Sequence, residues 1–581
     1  MRDLKYILRY AKPYRKSITA AVLLVFAECI FEMSIPLLMT DIVDIGVANR
    51  DVAFLLRQGG LMILCAFLAL ATGLAYARFA ASAANGLGAE IRAAEYKQTQ
   101  KYDFANLDRF SAPSLITRMT TDVTVLQNTV NTALRPMVRG PVMLVLGVGL
   151  AFILNGKLAL VFIVSAPILG AVLAFIVHKV GPLYNRQQTS IDNLNRAVQE
   201  DLTAIRTVKA FAREDLKTRE FDVVNKELND ISLKTFKNAV LNLPAFQIIM
   251  YTVIVCIMWY GGNFILIGNM SVGELTAFLS YVLQVLNSVM MISNVFLMMT
   301  RSLASAKRVR ELLEETPSLE DPDSPAGEVK DGSIDFENVS FKYDSAAEKF
   351  ALSDINLHIP SGATVGIIGG TGSAKSTFAQ LIPRLYDATV GTVKVGGRNV
   401  KDYDLATLRD AVGLVPQKSL LFSGTIKENL LWGNPAATDR EIEAACEAAC
   451  VDEFIDRMPK GLDTYLGQGG VNVSGGQKQR LCIARALLKR PKILILDDSV
   501  SAVDTATEAK IREATAKLKD MTKIIIAQRI SAVKDADIIA VMEHGKIRAA
   551  GKHEELLKKD SVYQEIYYSQ MKGAVNNGEA V

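Results

Sequence analysis

The sequence has 581 residues, half of them hydrophobic, and a formal net charge of +4. This length exceeds that of a single domain and the mean hydropathy is positive, so we expect a membrane-embedded part joined to a soluble part. The six cysteines show no metal-ligand spacing, so we expect them to be core or surface thiols. The small net charge gives no indication of a nucleic-acid partner, and none is expected.

Residues 1–16 predict a helix on the membrane surface, with basic residues such as Arg2, Lys5, Arg9 and Lys12 opposite an aromatic and aliphatic face. No cleavage site precedes the first apolar run, so we expect no cleavable signal. Six apolar runs follow, and we expect six crossings of the roughly 30 Å hydrocarbon layer. The runs are at 18–39, 61–76, 141–154, 158–177, 245–267 and 275–299.

The distribution of basic residues predicts the orientation of these crossings. The connections after the second and fourth runs are long and basic, and they include Arg92, Arg135, Arg139 and Lys209. Because cytoplasmic connections are enriched in Lys and Arg, both long connections and both termini are predicted to be cytoplasmic. Most of these charges are interpreted as solvated faces of helices that continue from the membrane.

Glu28 and Glu32 lie four residues apart in the first crossing, on one helix face. Ionisable residues at membrane depth usually face a cavity or a partner. Two interpretations stay open, namely a cavity wall that favours cationic or polar substrates and a structural pair bonded inside the bundle.

The hydrophobic pattern divides the chain into regions. We expect a transmembrane domain over 1–310, a Pro-rich and acidic linker over 311–332, an α/β domain over 333–572 and a disordered tail over 573–581. Strands of the α/β domain are predicted at 333–343, 364–368, 493–496, 523–527 and 537–541.

A phosphate-binding loop (P-loop) is predicted directly after the strand at 364–368, where it opens a helix. Its backbone N–H groups would bind phosphate oxygens, Lys375 would reach the β and γ phosphates, and Ser376 would coordinate magnesium. The loop comprises Gly369, Gly370, Thr371, Gly372, Ser373, Ala374, Lys375, Ser376 and Thr377. Ala374 replaces the consensus glycine, and we expect a helix-start conformation that tolerates alanine.

A second motif follows a hundred residues downstream. The run Val-Ser-Gly-Gly-Gln-Lys-Gln-Arg at 473–480 opens a helix, and the next apolar strand ends in Asp497 and Asp498. Carboxylates at the C-terminal end of a buried strand lie where α/β sheets bind ligands, so two acids there indicate a metal ion and a water.

The P-loop, the Ser-Gly-Gly-Gln turn, the two acids and the six apolar runs together resemble an ATP-binding cassette (ABC) exporter half-transporter, over nearly the whole chain. The resemblance implies an α-helical bundle of six crossings (the type IV, or type I exporter, fold) followed by an α/β P-loop nucleotide-binding domain, with ATP and Mg²⁺ as cofactors. In this family two cassettes pair head to tail, so each ATP lies between one P-loop and the other cassette's signature turn.

The resemblance also assigns roles by position. Tyr343 resembles the aromatic residue that stacks on adenine, with a sheet-packing tyrosine as the alternative. Asp497 and Gln417 resemble the residues that, with Ser376, hold magnesium, and Asp504 resembles the acid of the loop that crosses to the other site. The signature turn, which would bind the partner's ATP, is Ser474, Gly475, Gly476 and Gln477. Segments near 111–121 and 209–215 resemble the coupling helices that dock onto cassettes.

Two departures from the family pattern predict an impaired hydrolysis site. Asp498 stands where the family has the glutamate that activates water, and its side chain is one methylene shorter. Gln528 stands where the family has a switch histidine, and it cannot carry a proton charge as histidine does. We therefore expect slow hydrolysis of the ATP on this chain's P-loop.

These departures resemble the degenerate-site subunit of bacterial heterodimeric multidrug exporters. The expected partner is a different half-transporter that carries the glutamate and the histidine. We expect a multi-pass protein of the cell membrane lipid bilayer that exports drugs, lipids or other amphipathic small molecules. The alternative is an ATP-gated channel or a sensor in which slow hydrolysis acts as a timer.

Overall fold

A computed structural model describes residues 2–344, 346–499 and 503–576. The chain groups into two compact units. The first contains the residues up to Lys101 together with Ser111–Glu315, and the second contains Tyr102–Phe110 together with the residues from Thr316 onward. The second unit is therefore discontinuous in sequence.

Eleven helices precede the first strand in the part of the chain that the structure describes. They are α1 (Arg2–Ile7), α2 (Arg15–Asp41), α3 (Val52–Thr99), α4 (Phe104–Arg109), α5 (Ala112–Thr117), α6 (Val123–Leu154), α7 (Gly156–Thr203), α8 (Ile205–Ala210), α9 (Glu214–Val240), α10 (Asn242–Leu266) and α11 (Val272–Glu314). A 3₁₀ segment, Leu8–Tyr14, joins α1 to α2, and α4 alone belongs to the second unit.

Six helical segments of the described chain are long and apolar enough to cross a membrane, which confirms the predicted number of crossings. Helices α3 and α7 each have 48 residues. At 1.5 Å per residue each is about 72 Å long, more than twice the hydrocarbon thickness. Both helices therefore extend well beyond the bilayer.

Close packing fixes the first membrane helix against the last. Tyr281 of α11 is fully buried and donates a hydrogen bond from Oη to the Met33 carbonyl at 2.9 Å. At the start of α11, the Gly273 N–H donates to Asp44 Oδ1 at 2.8 Å. A Cβ at Gly273 would lie 2.5 Å from that carboxylate, so glycine permits this approach.

The structure pairs the two membrane glutamates with arginines of α6. Glu28 is buried and bonds to both Arg135 and Arg139, and Arg139 also bonds to Glu32 with an N–O distance of 2.6 Å. The geometry favours the structural interpretation of the glutamates. Arg135 and Arg139 are therefore exceptions to the solvated faces expected for most of the basic residues, because a buried carboxylate requires a cationic partner.

The second unit contains twelve strands and nine further helices among its described residues. The strands are β1 (Ile334–Phe341), β2 (Leu352–Ile359), β3 (Thr364–Gly369), β4 (Val390–Val395), β5 (Arg398–Asn399), β6 (Val412–Val415), β7 (Gly424–Thr425), β8 (Tyr465–Leu466), β9 (Ile493–Asp497), β10 (Thr522–Ile526), β11 (Ile538–Glu543) and β12 (Lys546–Gly551). The helices are α12 (Lys375–Leu381), α13 (Leu405–Ala411), α14 (Ile426–Leu431), α15 (Asp439–Ala448), α16 (Asp452–Ile455), α17 (Gly475–Leu488), α18 (Thr505–Ala516), α19 (His553–Lys559) and α20 (Ser561–Asn576).

A six-stranded sheet in the order β12-β11-β3-β10-β9-β6 forms the centre of this unit. All neighbours are parallel except β11 and β12, and β9 and β10 are buried along their whole length. Ile526 pairs with Ile367 on one side and with Asp497 on the other. The C-terminal ends of β3, β10, β9 and β6 therefore meet at one edge. A four-stranded antiparallel sheet, β2-β1-β4-β5, lies in the same unit.

Several predicted boundaries differ from the structure. Helix α11 continues to Glu314, past the predicted end of the membrane region at 310. Part of the predicted linker is ordered in the second unit, where Val329 is buried and Ala326 forms a bridge with Tyr403. Helix α20 continues to Asn576 into the predicted tail, and residues 577–581 lie outside the described residues.

Candidate nucleotide-binding site

The parallel strands bring the predicted site residues to one edge of the sheet. The P-loop follows β3, Asp498 follows β9, and Gln417 and Gln528 each lie two residues beyond the end of β6 and β10. Because these four strands are neighbours in the sheet, residues 160 positions apart in sequence become neighbours in space. This edge is where α/β folds bind ligands.

The P-loop turns into α12 through two left-handed residues. Gly372 has φ +82°, and Ala374 has φ +67° and ψ +28°. The expectation that Ala374 has a helix-start conformation was therefore wrong, since it adopts the left-handed conformation that the consensus glycine takes without strain. For a residue with a Cβ this conformation costs about 1–2 kcal/mol. No atom lies within 4 Å of a Cβ built at Gly370 or Gly372, so the loop leaves open space for a phosphate.

Lys375 lies over this loop. Its Nζ donates to the carbonyls of Gly369 and Gly370, both at 2.8 Å, and to Ser373 Oγ at 3.2 Å. Burial lowers the pKa of Lys375, while the charges of Asp498 and Asp497 act in the opposite direction. A phosphate would supply the anionic partner that a half-buried ammonium group favours.

Oxygen-bearing side chains beside the loop fit a magnesium ion, which prefers hard oxygen ligands. Ser376 Oγ donates to Asp497 Oδ1 at 2.9 Å, so two of the predicted ligands are already in contact. Burial raises the pKa of Asp497, the hydrogen bond from Ser376 lowers it, and the charge of Asp498 raises it further. A bound divalent cation would relieve this repulsion and offset charge on the β and γ phosphates. The Gln417 carbonyl oxygen is the third predicted ligand.

Two amide side chains converge on one oxygen of Asp498. Gln528 Nε2 donates to Asp498 Oδ2 at 3.0 Å, and Gln417 Nε2 donates to the same oxygen at 3.3 Å. The Asp498 backbone has φ +48°, and its N–H donates to the Ile526 carbonyl at 2.9 Å. Burial raises the pKa of Asp498, and the hydrogen bond from Gln528 and the charge of Lys375 lower it. Asp498, in the position of the family's water-activating glutamate, thus accepts a hydrogen bond from Gln528, in the position of the family's switch histidine.

Gln570 was missed by the sequence analysis. From α20, its Nε2 donates to the Gln528 carbonyl at 2.8 Å, and its Oε1 accepts from the Ile530 N–H at 2.9 Å. These two bonds fix the backbone on both sides of residue 529. No sequence signal marks Gln570, because it lies 42 residues from Gln528 in an ordinary polar helix position.

Tyr343 lies just beyond β1 and is half-exposed. Its ring contacts Phe341 and Tyr386 edge to face, with centroids 4.8 and 5.2 Å away, and its hydroxyl lies 2.9 Å from Thr377 Oγ1. The exposed part of the ring leaves room for a base to stack, and its buried edge packs on aromatic neighbours. The adenine role of Tyr343 stays a prediction.

The aromatic cluster continues into the segment Tyr102–Phe110. Tyr386 Oη donates to Asp108 Oδ2 at 2.7 Å, and Phe104 packs on the Tyr386 ring at 6.0 Å. The segment near 111–121 belongs to the first unit, whereas Tyr102–Phe110 belongs to the second. The docking role of 111–121 stays a prediction. Asp103 and Asn106 form a capping box at the start of α4, a signal that could have located this helix.

The signature turn is built as a capped helix start. The Gln477 N–H donates to Ser474 Oγ at 3.3 Å, and the Ser474 N–H donates to Gln477 Oε1 at 2.9 Å. Gly475 and Gly476 occupy the first two positions of the 14-residue helix α17. Asp504 caps α18 by a single bond, accepting from the Thr507 N–H at 2.9 Å. The turn can present backbone N–H groups and the positive end of a helix to an anion.

Comparisons with known proteins agree with this architecture. The ABC transporter transmembrane region model matches residues 18–289, and the ABC transporter model matches residues 352–501. A putative multidrug export ATP-binding/permease protein of Bacillus subtilis is 33% identical over 98% of this chain and 100% of its own length. An ATP-dependent lipid A-core flippase of Desulfotalea psychrophila is 33% identical over 92% of this chain and 93% of its own.

Among solved structures, an ATP-bound bacterial Atm1-family ABC exporter superposes with a TM-score of 0.80. It shares 25% sequence identity, and the match covers 96% of this chain and 98% of that one. The site geometry, the six membrane helices and these relatives lead to one conclusion. The chain belongs to the ABC transporter family, as an ATPase-coupled exporter half-transporter with its membrane and nucleotide-binding regions fused in one polypeptide.

Proposed function

We propose that this chain is the slow-site subunit of a heterodimeric exporter. The observation that carries the proposal is the arrangement at Asp498, whose Oδ2 accepts hydrogen bonds from Gln528 and Gln417. An aspartate reaches about 1.5 Å less far than a glutamate. Its raised pKa would favour proton acceptance, but the short side chain and its amide partners hold the carboxylate back from an attacking water.

The intact signature turn supports a different partner rather than a second copy of this chain. Ser474 and Gln477 cap each other, and both glycines of the turn are present. In a head-to-tail pair this turn completes the partner's ATP site. A homodimer would have two complete signature turns, but both of its ATP sites would lack the glutamate and the histidine. A heterodimer with a partner that carries both residues would have one competent site.

The contacts of Tyr386 support a route from nucleotide binding to the membrane helices. Tyr386 lies between Tyr343, at the predicted adenine position, and Asp108 of the segment that joins α3 to α5. A base stacked on Tyr343 would therefore press on a ring that is bonded to this connection. This arrangement suits a transporter in which ATP binding shifts the connection that follows α3.

The proposed cargo is drugs, lipids or other amphipathic compounds moved out of the cytoplasm, with both termini cytoplasmic. The multidrug exporter and the lipid flippase among the relatives support this class.

The test is ATP hydrolysis by the purified chain, alone and with a half-transporter encoded next to it. We expect little magnesium-dependent hydrolysis by the chain alone and substantial hydrolysis by the pair. Fast hydrolysis by the chain alone would refute the proposal. ATP-dependent uptake of a fluorescent amphipathic cation into inverted vesicles then tests export by the pair.

A further inference from the structure

A basic cleft of about 580 Å³ lies where the N-terminal segment meets the first membrane helix. Its walls come from the 3₁₀ segment, from the first residues of α2 and from α3. The charged lining residues are Arg9, Lys12, Arg15, Lys16 and Glu90. Four cations against one carboxylate give the cleft a formal charge of +3, counted from these five side chains.

These cations have no carboxylate partner among the described residues, although the Arg9 guanidinium also lies over the Tyr6 ring, 5.5 Å from its centroid. All four are exposed, and none forms an ion pair with a carboxylate among the residues that the structure describes. Nearby, by contrast, Arg310 pairs with Asp3 at 2.7 Å. Four unpaired cations around one cleft repel each other, so an anion placed among them is stabilised.

An exposed apolar face continues from the cleft along α2. Leu23, Phe26 and Ile30 are 63%, 46% and 42% exposed, and their spacing of three and four residues places them on one helix face. Lys16 lies seven residues before Leu23, on the same face. The distance from Lys16 to Ile30 is about 20 Å at 1.5 Å per residue, somewhat more than the thickness of one leaflet.

We propose that this cleft binds the headgroup of an anionic phospholipid of the cytoplasmic leaflet, with the acyl chains along Leu23, Phe26 and Ile30. The phosphate lies among the cations, and a headgroup hydroxyl donates to Glu90. A free phosphate or a nucleotide would use the charges but not the apolar face. The lipid is a bound component of the transporter and not its cargo. Its binding rests on the proposed function only in that the N-terminus of the chain is cytoplasmic.

The test uses the full-length chain in nanodiscs of phosphatidylcholine with increasing fractions of phosphatidylglycerol, and it counts retained phosphatidylglycerol by native mass spectrometry. The variant is Arg9→Gln with Lys12→Gln, because these residues lie farther from the membrane helix than Arg15 and Lys16. The control, Lys97→Gln with Lys226→Gln, removes the same charge from exposed unpaired positions of the same unit.

At about a fivefold contribution per basic side chain, the double variant is expected to bind phosphatidylglycerol about 25-fold more weakly than the control. Equal retention by variant and control would overturn the proposal. Competition by millimolar inorganic phosphate as effective as that by phosphatidylglycerol would overturn the lipid assignment. If the double variant yields no folded protein, Arg9→Gln alone is compared with the control, and it is expected to bind phosphatidylglycerol about fivefold more weakly. Retention is measured without ATP, so it is independent of the hydrolysis test of the proposed function.

Discussion

Replacing Asp498 by glutamate and Gln528 by histidine should convert the proposed slow site into a competent one. Glutamate extends the carboxylate by about 1.5 Å beyond the point where Asp498 Oδ2 now accepts from two amides. The Gln528 Nε2 lies 3.0 Å from that oxygen, so an imidazole at this position would also lie within bonding distance of an extended carboxylate.

A well-placed general base contributes roughly 10²–10⁴-fold to a rate. We therefore expect Asp498→Glu with Gln528→His to raise magnesium-dependent kcat of the purified chain at least about a hundredfold, with KM for ATP changed little because the P-loop is untouched. Phosphate release from the full-length chain in detergent or nanodiscs measures both constants.

Asp498→Asn in the wild-type background is the matched control, since asparagine keeps the shape and removes the carboxylate. If Asp498 is a weak base, Asp498→Asn should change the already slow rate by less than about tenfold. An unchanged kcat in the double variant would refute the reasoning, because it would show that the missing glutamate and histidine do not limit hydrolysis. A large loss in Asp498→Asn would refute it too, because it would show that Asp498 already serves as an effective base.

Three further outcomes are expected. In the Asp498→Glu, Gln528→His background, Gln570→Ala should lower kcat about tenfold or more with KM nearly unchanged, because a small displacement of the backbone around residues 528–530 disturbs the reacting geometry. Gln570→Glu cannot donate to the carbonyl of residue 528, so an equal loss in this variant would support the role of both Gln570 hydrogen bonds. Ser474→Ala should lower hydrolysis by the complex with the partner and destabilise the start of α17 by about 1 kcal/mol, while ATP crosslinking to this chain's own P-loop stays unchanged. Asp497→Asn should raise the melting temperature of the nucleotide-free chain at pH 7, because the raised pKa of Asp497 makes its charged form destabilising, and the gain should disappear as the pH falls below the ordinary aspartate pKa of 3.8; a gain that persists there would contradict this cause.

The sequence predicted the parts of the site that depend on local pattern. The strands before the P-loop and before Asp497, and the helix that starts at Lys375, lie where hydrophobic runs and turn residues indicate. Such features depend on neighbours within a few residues, which a single sequence displays.

The contacts that depend on strand order could not be predicted in this way. Gln417 and Gln528 meet at one oxygen of Asp498 only because β6, β9 and β10 are adjacent in the sheet. The pairing of Arg139 with Glu28 and Glu32 likewise depends on the packing of α6 against α2. Ala374 adopts the left-handed backbone that glycine takes without strain, and the expectation failed because Ala374 precedes the first helical residue, Lys375.

The discontinuity of the second unit affects how the cassette is made. Asp103 accepts hydrogen bonds from Ser318 Oγ at 2.7 Å and from the Leu319 N–H at 3.0 Å, so a piece synthesised early is bonded to the first residues of a region synthesised some 200 residues later. During synthesis this segment remains without these partners, and Phe104 without its contact with the Tyr386 ring, until the remaining membrane helices have been made. A cassette expressed from residue 316 onward lacks it altogether and leaves Tyr386 without its Asp108 acceptor. Soluble fragments of this chain therefore begin their folding one helix short, and their stability underestimates that of the cassette in the whole transporter.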